Sequence, residues 1–197
     1  MLYGLAGSGL LYDAVVKRMI PDAWRQRCAD LAQGRVLEVG IGTGLMLPFY
    51  GSPVTEVVGV DLSADMLGRA AKLSAGLSFP LRLEQMDVED MSLESASFDT
   101  VVVSFMFCSV KNPLKGLSGC RRVLRPGGRL VLMEHVKSRK FWVGALLKIA
   151  NPLSVLVLGD HLTRDTVALA REAGFRIDRV ERLSGDLVIL AVGTVVE

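Results

Sequence analysis

The sequence predicts an α/β fold: a seven-stranded, mostly parallel sheet ending in an antiparallel C-terminal hairpin, with helices on both faces. Three observations carry that reading. Short runs rich in Val and Leu alternate with helical segments or long connections, as right-handed crossovers between parallel strands require. A glycine-spaced loop, Gly40-Ile41-Gly42-Thr43-Gly44, follows the first of these runs. Only Ser184-Gly185-Asp186 separates the last two runs, too few residues for a parallel crossover, so those strands must be antiparallel.

At 197 residues the chain suits one domain with a substantial core. Residues 1–33 read as an N-terminal amphipathic helical flap. From residue 8 onward Leu10, Leu11, Ala14, Val15 and Arg18 follow a 3.6-type spacing, and Pro21 opens a second helical segment. Residues 34–197 form the main domain. Its first five strands are expected at 35–40, 54–61, 81–87, 98–105 and 129–135. An insertion at about 136–161 leads to a helix over 163–173, with Thr163 as N-cap and Gly174 at its C-cap. Strands at 175–183 and 187–195 close the chain.

Composition narrows the class. Half the residues are hydrophobic and mean hydropathy is +0.38, so an apolar surface is expected somewhere. No run of 18 apolar residues spans a bilayer; the nearest, 141–158, is broken by Lys148 and Asn151-Pro152. The apolar N-terminus has no basic n-region and no convincing cleavage site, which predicts a cytoplasmic protein. A net charge of +2, from 23 basic and 21 acidic side chains, argues against a nucleic-acid partner. Cys28, Cys108 and Cys120 are odd in number and widely spaced. They suggest neither a disulfide framework nor a metal pair, and no metal site is expected.

The glycine loop is the strongest chemical signal. Gly40, Gly42 and Gly44 let the backbone turn tightly and approach a ligand closely. A dinucleotide fingerprint would put its third glycine at position 45, which is Leu. Glu38 at the strand end disfavours a phosphate there and favours a cation, such as the α-ammonium of a methionine moiety. Asp61 ends the second strand, 21 residues after Gly40, where a carboxylate accepts from ribose hydroxyls. Leu62 and Met66 are placed to pack on an adenine face. Asp87 ends the third strand and is placed to accept from an adenine amino group, with the Val88 N–H meeting a ring nitrogen.

This set resembles the class I S-adenosylmethionine (SAM)-dependent methyltransferases over most of residues 30 to 195. The likeness rests on residues 38–44, Asp61, Asp87, the strand 98–104, and Leu124-Arg125-Pro126-Gly127-Gly128 before strand five. It implies a Rossmann-like sheet, SAM as cofactor and S-adenosylhomocysteine as product. It also implies that Ser104 to Ser109 line the pocket near the transferred methyl. Within the class the chain looks most like the small quinone C-methyltransferases and the bacterial phospholipid N-methyltransferases. In those enzymes an N-terminal helix covers the site, and Tyr12 falls at the matching position. Four further segments, 107–112, 122–128, 133–136 and 162–165, resemble the membrane-associated thiol methyltransferases. Those carry an N-terminal hydrophobic anchor where this chain has a short amphipathic segment.

Methyl transfer from a sulfonium needs in-line geometry, and a base only where the nucleophile must lose a proton. The candidate catalytic residues are Tyr12, Glu134, His135 and His161. In the insertion, Lys137, Arg139 and Lys140 precede Phe141, Trp142, Leu146 and Leu147, a basic and aromatic amphipathic pattern. Such a segment either lies on an anionic membrane surface or packs as an ordinary lid. Two apolar flaps point to a lipophilic small molecule or a phospholipid as acceptor, with N-methylation of a phospholipid amine expected first. C-methylation of a quinone, S-methylation of a small thiol and a non-catalytic SAM-binding membrane module are the alternatives.

Overall fold

The computed structural model describes residues 18, 20–135, 164–184 and 187–196. The strands are β1 (Gly34–Val39), β2 (Val54–Asp61), β3 (Leu81–Gln85), β4 (Phe98–Ser104), β5 (Leu124–His135), β6 (Phe175–Ser184) and β7 (Val188–Val195). The helices are α1 (Asp22–Ala29), α2 (Ala64–Ala70), α3 (Pro113–Val123) and α4 (Thr166–Glu172). The strands form one sheet in the order β3-β2-β1-β4-β5-β7-β6. β1 to β5 pair in parallel, and β7 lies antiparallel between β5 and β6. The expected fold and its C-terminal hairpin are both present.

Strand alternation divides the core in two. Leu37 and Val39 of β1, Val101 and Val103 of β4, and Leu130 and Leu132 of β5 face Leu117, Cys120 and Val123 of α3 and Val167 and Ala170 of α4. Val36, Val102, Val131 and Met133 face the opposite way, onto Cys28 and Ala29 of α1 and Leu67 and Ala70 of α2. Side chains on a strand point alternately to the two faces, so a sheet covered on both sides needs apolar residues at nearly every position. That is why these strands read as unbroken Val and Leu runs.

Several boundaries differ from the sequence expectation. β5 starts at Leu124, not residue 129, because pairing with β4 continues around an irregularity between Phe98 and Thr100. Gly127, at φ +72°, lets the chain make that detour. β4 stops at Ser104, since Phe105 takes the left-handed conformation at φ +51°. α4 begins at Thr166, and its N-cap is Asp165, whose side chain accepts from the Ala168 N–H at 2.9 Å. The expected cap, Thr163, lies outside the described residues. So do Tyr12, His161 and the whole of the insertion 136–161.

The strand order reverses between β1 and β4: the chain winds outward through β2 and β3 on one side and through β5 on the other. Loops leaving the C-terminal ends of two such strands diverge and open a crevice, the usual ligand position in a doubly wound sheet. Here those loops are the glycine loop after β1 and residues 105–112 after β4.

Candidate active site

Gly40, Gly42 and Gly44 all have positive φ, at +70°, +57° and +81°. The loop is anchored to β2 through the Gly40 and Ile41 N–H groups, which donate to Val60 O at 2.8 and 3.1 Å. Two of the glycines have distinct tasks. A Cβ at Gly40 would lie 2.4 Å from Met106 Cγ, so the missing side chain is what lets the β4 loop pack on the glycine loop. A Cβ at Gly42 would meet nothing within 4 Å, which leaves open space above the backbone.

Asp61 is buried at the end of β2. Its Oδ2 accepts from the Gly42 N–H and its Oδ1 from the Ser63 N–H, both at 2.9 Å. One carboxylate therefore holds the glycine loop and the start of α2 in fixed relation. Beside it Leu62 is 56% exposed, a large apolar side chain standing free on the crevice rim, whereas Met66 is buried in the first turn of α2. Asp87 is exposed and accepts from the Glu89 N–H at 2.8 Å, capping the short turn in which Val88 is buried. Asp61 thus ends β2 as expected, whereas β3 stops at Gln85 and Asp87 lies two residues beyond it, as the cap of the turn that follows.

Glu38 sits deeper than a residue at the crevice mouth. It is 2% exposed and packs on the α1 face of the sheet, where the Tyr50 hydroxyl donates to its Oε2 at 2.9 Å. Burial pushes its carboxyl up to about 8, and the Tyr50 hydrogen bond acts in the opposite direction. Burial and then the neighbouring Glu38 charge also push the Cys28 thiol up. Cys28, Cys108 and Cys120 are all free and buried.

On the acceptor side, Ser104 is half-buried at the end of β4. The Phe105 N–H donates to Met133 O at 2.8 Å, and the Phe105 ring lies 4.7 Å from the half-buried His135 ring. Glu134, a candidate base, is fully buried. Its Oε1 accepts from the Met106 and Phe107 N–H groups at 3.0 and 2.9 Å, so it supports the β4 loop from the α3 face. Arg164 reaches the same loop from the start of α4, donating to Phe107 O and, at 2.8 Å, to Val110 O. Sequence reasoning singled out neither Tyr50 nor Arg164 as a site residue. Both act through contacts with residues distant in sequence, and no local pattern announces them. Among the described residues, no group of three His, Cys, Asp or Glu side chains is gathered to hold a metal.

The residues present suit an aminoacyl nucleoside. Open space over Gly42, a buried carboxylate at Asp61, an exposed Leu62 beside it and the carboxyl of Glu38 offer a backbone approach, hydroxyl acceptors, an apolar platform and a partner for a cation. Residues 37–132 match the family model described as a methyltransferase domain. Over that stretch, a little under half of the chain, the sequence is similar to a methyltransferase domain, and the residues of the site fit S-adenosylmethionine as the cofactor.

Among particular relatives, the chain is 41% identical over 117 residues to the phosphatidylethanolamine N-methyltransferase of Cereibacter sphaeroides, covering 58% of this chain and 57% of that protein. It is 33% identical over 133 residues to the demethylmenaquinone methyltransferase of Thermus thermophilus, covering 64% and 60%. The chain thus spans less than two thirds of the length of either relative. A SAM-dependent methyltransferase from Mesorhizobium loti shares the fold at a TM-score of 0.67 and 18% identity, over 87% of this chain and 96% of that one. The [4+2]-cyclase SpnF shares it at 0.74 and 18%, over 89% and 80%. Fold alone does not choose the reaction.

Proposed function

We propose that this chain transfers the methyl group of SAM to a lipophilic acceptor, in the first place the amine headgroup of a phospholipid. One observation carries the methyl-transfer reading: the close approach of Met106 to Gly40 joins the glycine loop to the β4 loop across the crevice. A cofactor lying on one loop then presents its far end to the other. The phospholipid preference rests on the 41% identity with a phosphatidylethanolamine N-methyltransferase.

In this reading Gly40, Gly42 and Gly44 admit the aminoacyl part, and Glu38 compensates its ammonium. Asp61 accepts from the ribose hydroxyls. Leu62 and Met66 flank the adenine, while Asp87 and the Val88 N–H recognise its edge. When bound, the cofactor supplies a methyl group on a sulfonium. Ser104 and the 105–110 loop hold the acceptor atom in line with it, and positioning of this kind is worth several kcal/mol. A protonated amine must lose a proton before it attacks. His135, held against Phe105, is the described candidate to take it. Tyr12 and His161, the remaining candidates, lie outside the described residues.

The flap role falls to the segment before α1, since α1 itself packs in the core, and residues 136–161 are assigned the role of bringing the domain to an anionic bilayer. Among the described residues no helix is long and apolar enough to cross a membrane. The test is incubation with labelled SAM and, in parallel, phosphatidylethanolamine vesicles, a demethylated quinone and a small alkyl thiol. Label is expected in the phospholipid. Label only in the quinone or the thiol overturns the preference, and SAM binding with no transfer to any of them favours the non-catalytic module. Replacing Phe141 and Trp142 by Ser is expected to cut co-sedimentation with anionic vesicles severalfold; equal sedimentation leaves 136–161 as a lid.

A further inference from the structure

The loop after β4 is held by two charged side chains from opposite sides. From β5, the Glu134 carboxylate accepts from the Met106 and Phe107 N–H groups. From the start of α4, Arg164 Nη1 donates to Phe107 O, to Val110 O at 2.8 Å and, at 3.4 Å, to Cys108 O. Both ends of residue 107 are thereby engaged, its N–H by an anion and its carbonyl by a cation. The loop begins with Phe105 at φ +51°, a conformation costly for a bulky L-residue and kept only where surrounding contacts impose it. Hydrogen bonds from an ionised partner are about twice as strong as neutral ones, and here they follow directly on the strained residue.

What the loop carries explains why it is held. Met106 packs on Gly40, the Phe105 ring lies tilted against His135 with centroids 4.7 Å apart, and the Cys108 thiol lies 3.5 Å from Phe105 O. These groups form the wall between the glycine loop and the acceptor side.

We propose that Glu134 and Arg164 are positioning residues of the methyl-transfer step: together they clamp residues 105–110 so that this wall fixes the acceptor in line with the methyl group. The inference rests on the methyltransferase reading given above. Glu134 acts through the Met106 and Phe107 amides, without removing a proton from the acceptor, and Arg164 acts through the loop carbonyls. Burial lowers the pKa of Arg164, while its neighbours Cys108 and Glu134 act in the opposite direction. The two ends of the clamp therefore also sense each other electrostatically.

The experiment compares Glu134→Ala, Glu134→Gln and Arg164→Lys with the full chain. Three quantities are read: SAM affinity by calorimetry, kcat and KM with phosphatidylethanolamine vesicles, and amide hydrogen exchange at Met106 and Phe107. Glu134→Ala is expected to leave SAM affinity within about threefold, to lower kcat on the order of 10- to 100-fold, and to speed exchange at both amides. Glu134→Gln keeps an acceptor oxygen and is expected to recover most of the lost kcat. Arg164→Lys cannot span the same carbonyls. It is expected to lower kcat several-fold at unchanged SAM affinity, and it decides the matter should Glu134→Ala fail to fold. Equal losses of SAM affinity and kcat, or unchanged kcat in both Glu134→Ala and Arg164→Lys, overturn the proposal. If wild-type protein does not methylate the vesicles, the acceptor assignment fails. The clamp is then judged on exchange and SAM affinity: unchanged exchange at Met106 and Phe107 in Glu134→Ala overturns it.

Discussion

Replacing Asp61 by alanine is expected to weaken SAM binding by on the order of 100-fold or more. The carboxylate already orders the glycine loop through Gly42 and the start of α2 through Ser63. In the proposed complex it also accepts from the ribose. Hydrogen bonds to a charged group contribute about 1.5–3 kcal/mol each, and two of them reach the stated loss, since about 1.4 kcal/mol is a factor of ten. Calorimetry with SAM and with an analogue lacking the ribose hydroxyls separates the two roles. In the wild type, removing the hydroxyls costs affinity; in Asp61→Ala it is expected to cost nothing more, because their partner has gone. Asp61→Asn, which keeps one oxygen for the backbone amides, should fall between. Unchanged SAM affinity in Asp61→Ala would refute the ribose assignment.

The second large effect is a pH dependence centred on Glu38. Its carboxyl is raised from 4.5 to about 8 by burial, with Tyr50 and Cys28 as the titratable groups around it. Pairing with a cation requires the ionised form. Below about pH 7.5 the side chain must shed a proton on binding, so SAM affinity is expected to rise about tenfold per pH unit between pH 6 and 7.5. An ordinary α-ammonium loses its own proton near 7.7–8.0, so the affinity should turn over near pH 8 and fall beyond it. Glu38→Gln cannot ionise, and its acid limb should be flat. An acid limb that persists in Glu38→Gln would assign the titration to another group.

Stability moves in the opposite sense on the acid side. The folded chain holds the Glu38 proton more tightly than the unfolded chain does. The stability this group contributes is therefore complete below about 4.5 and is lost as pH rises through about 8. Thermal melting of the cofactor-free protein should accordingly show less decline between pH 6 and 8 in Glu38→Gln than in the wild type.

Much of this was legible in the chain itself. Val and Leu runs announced a sheet covered on both faces, because a strand buried on both sides cannot alternate with polar residues. The three-residue connection before Val188 made the last pair antiparallel, since the length of a connection limits the direction of the next strand. Gly40, Gly42 and Gly44 marked a turn through left-handed backbone, and all three have positive φ. Asp61 was placed at a strand end by counting along the chain, and there it lies; Asp87 falls two residues past the end of β3, where its side chain caps the next turn.

Other features arose only in three dimensions. Glu38 was placed at the strand end by its position in the chain, but its neighbour was not: on the α1 face of β1 the Tyr50 hydroxyl donates to it. Glu134 looked like a base beside His135, but strand alternation sends the two to opposite faces and puts the carboxylate under the β4 loop. Arg164 lies 57 residues from the carbonyl of Phe107 that it holds. The reason is common to all three. Local propensity and spacing determine which segments become strands, turns and caps, because those depend on near neighbours. The partner of a buried charge is chosen by whichever distant element packs over it, and only the assembled sheet, with its order reversed between β1 and β4, decides that.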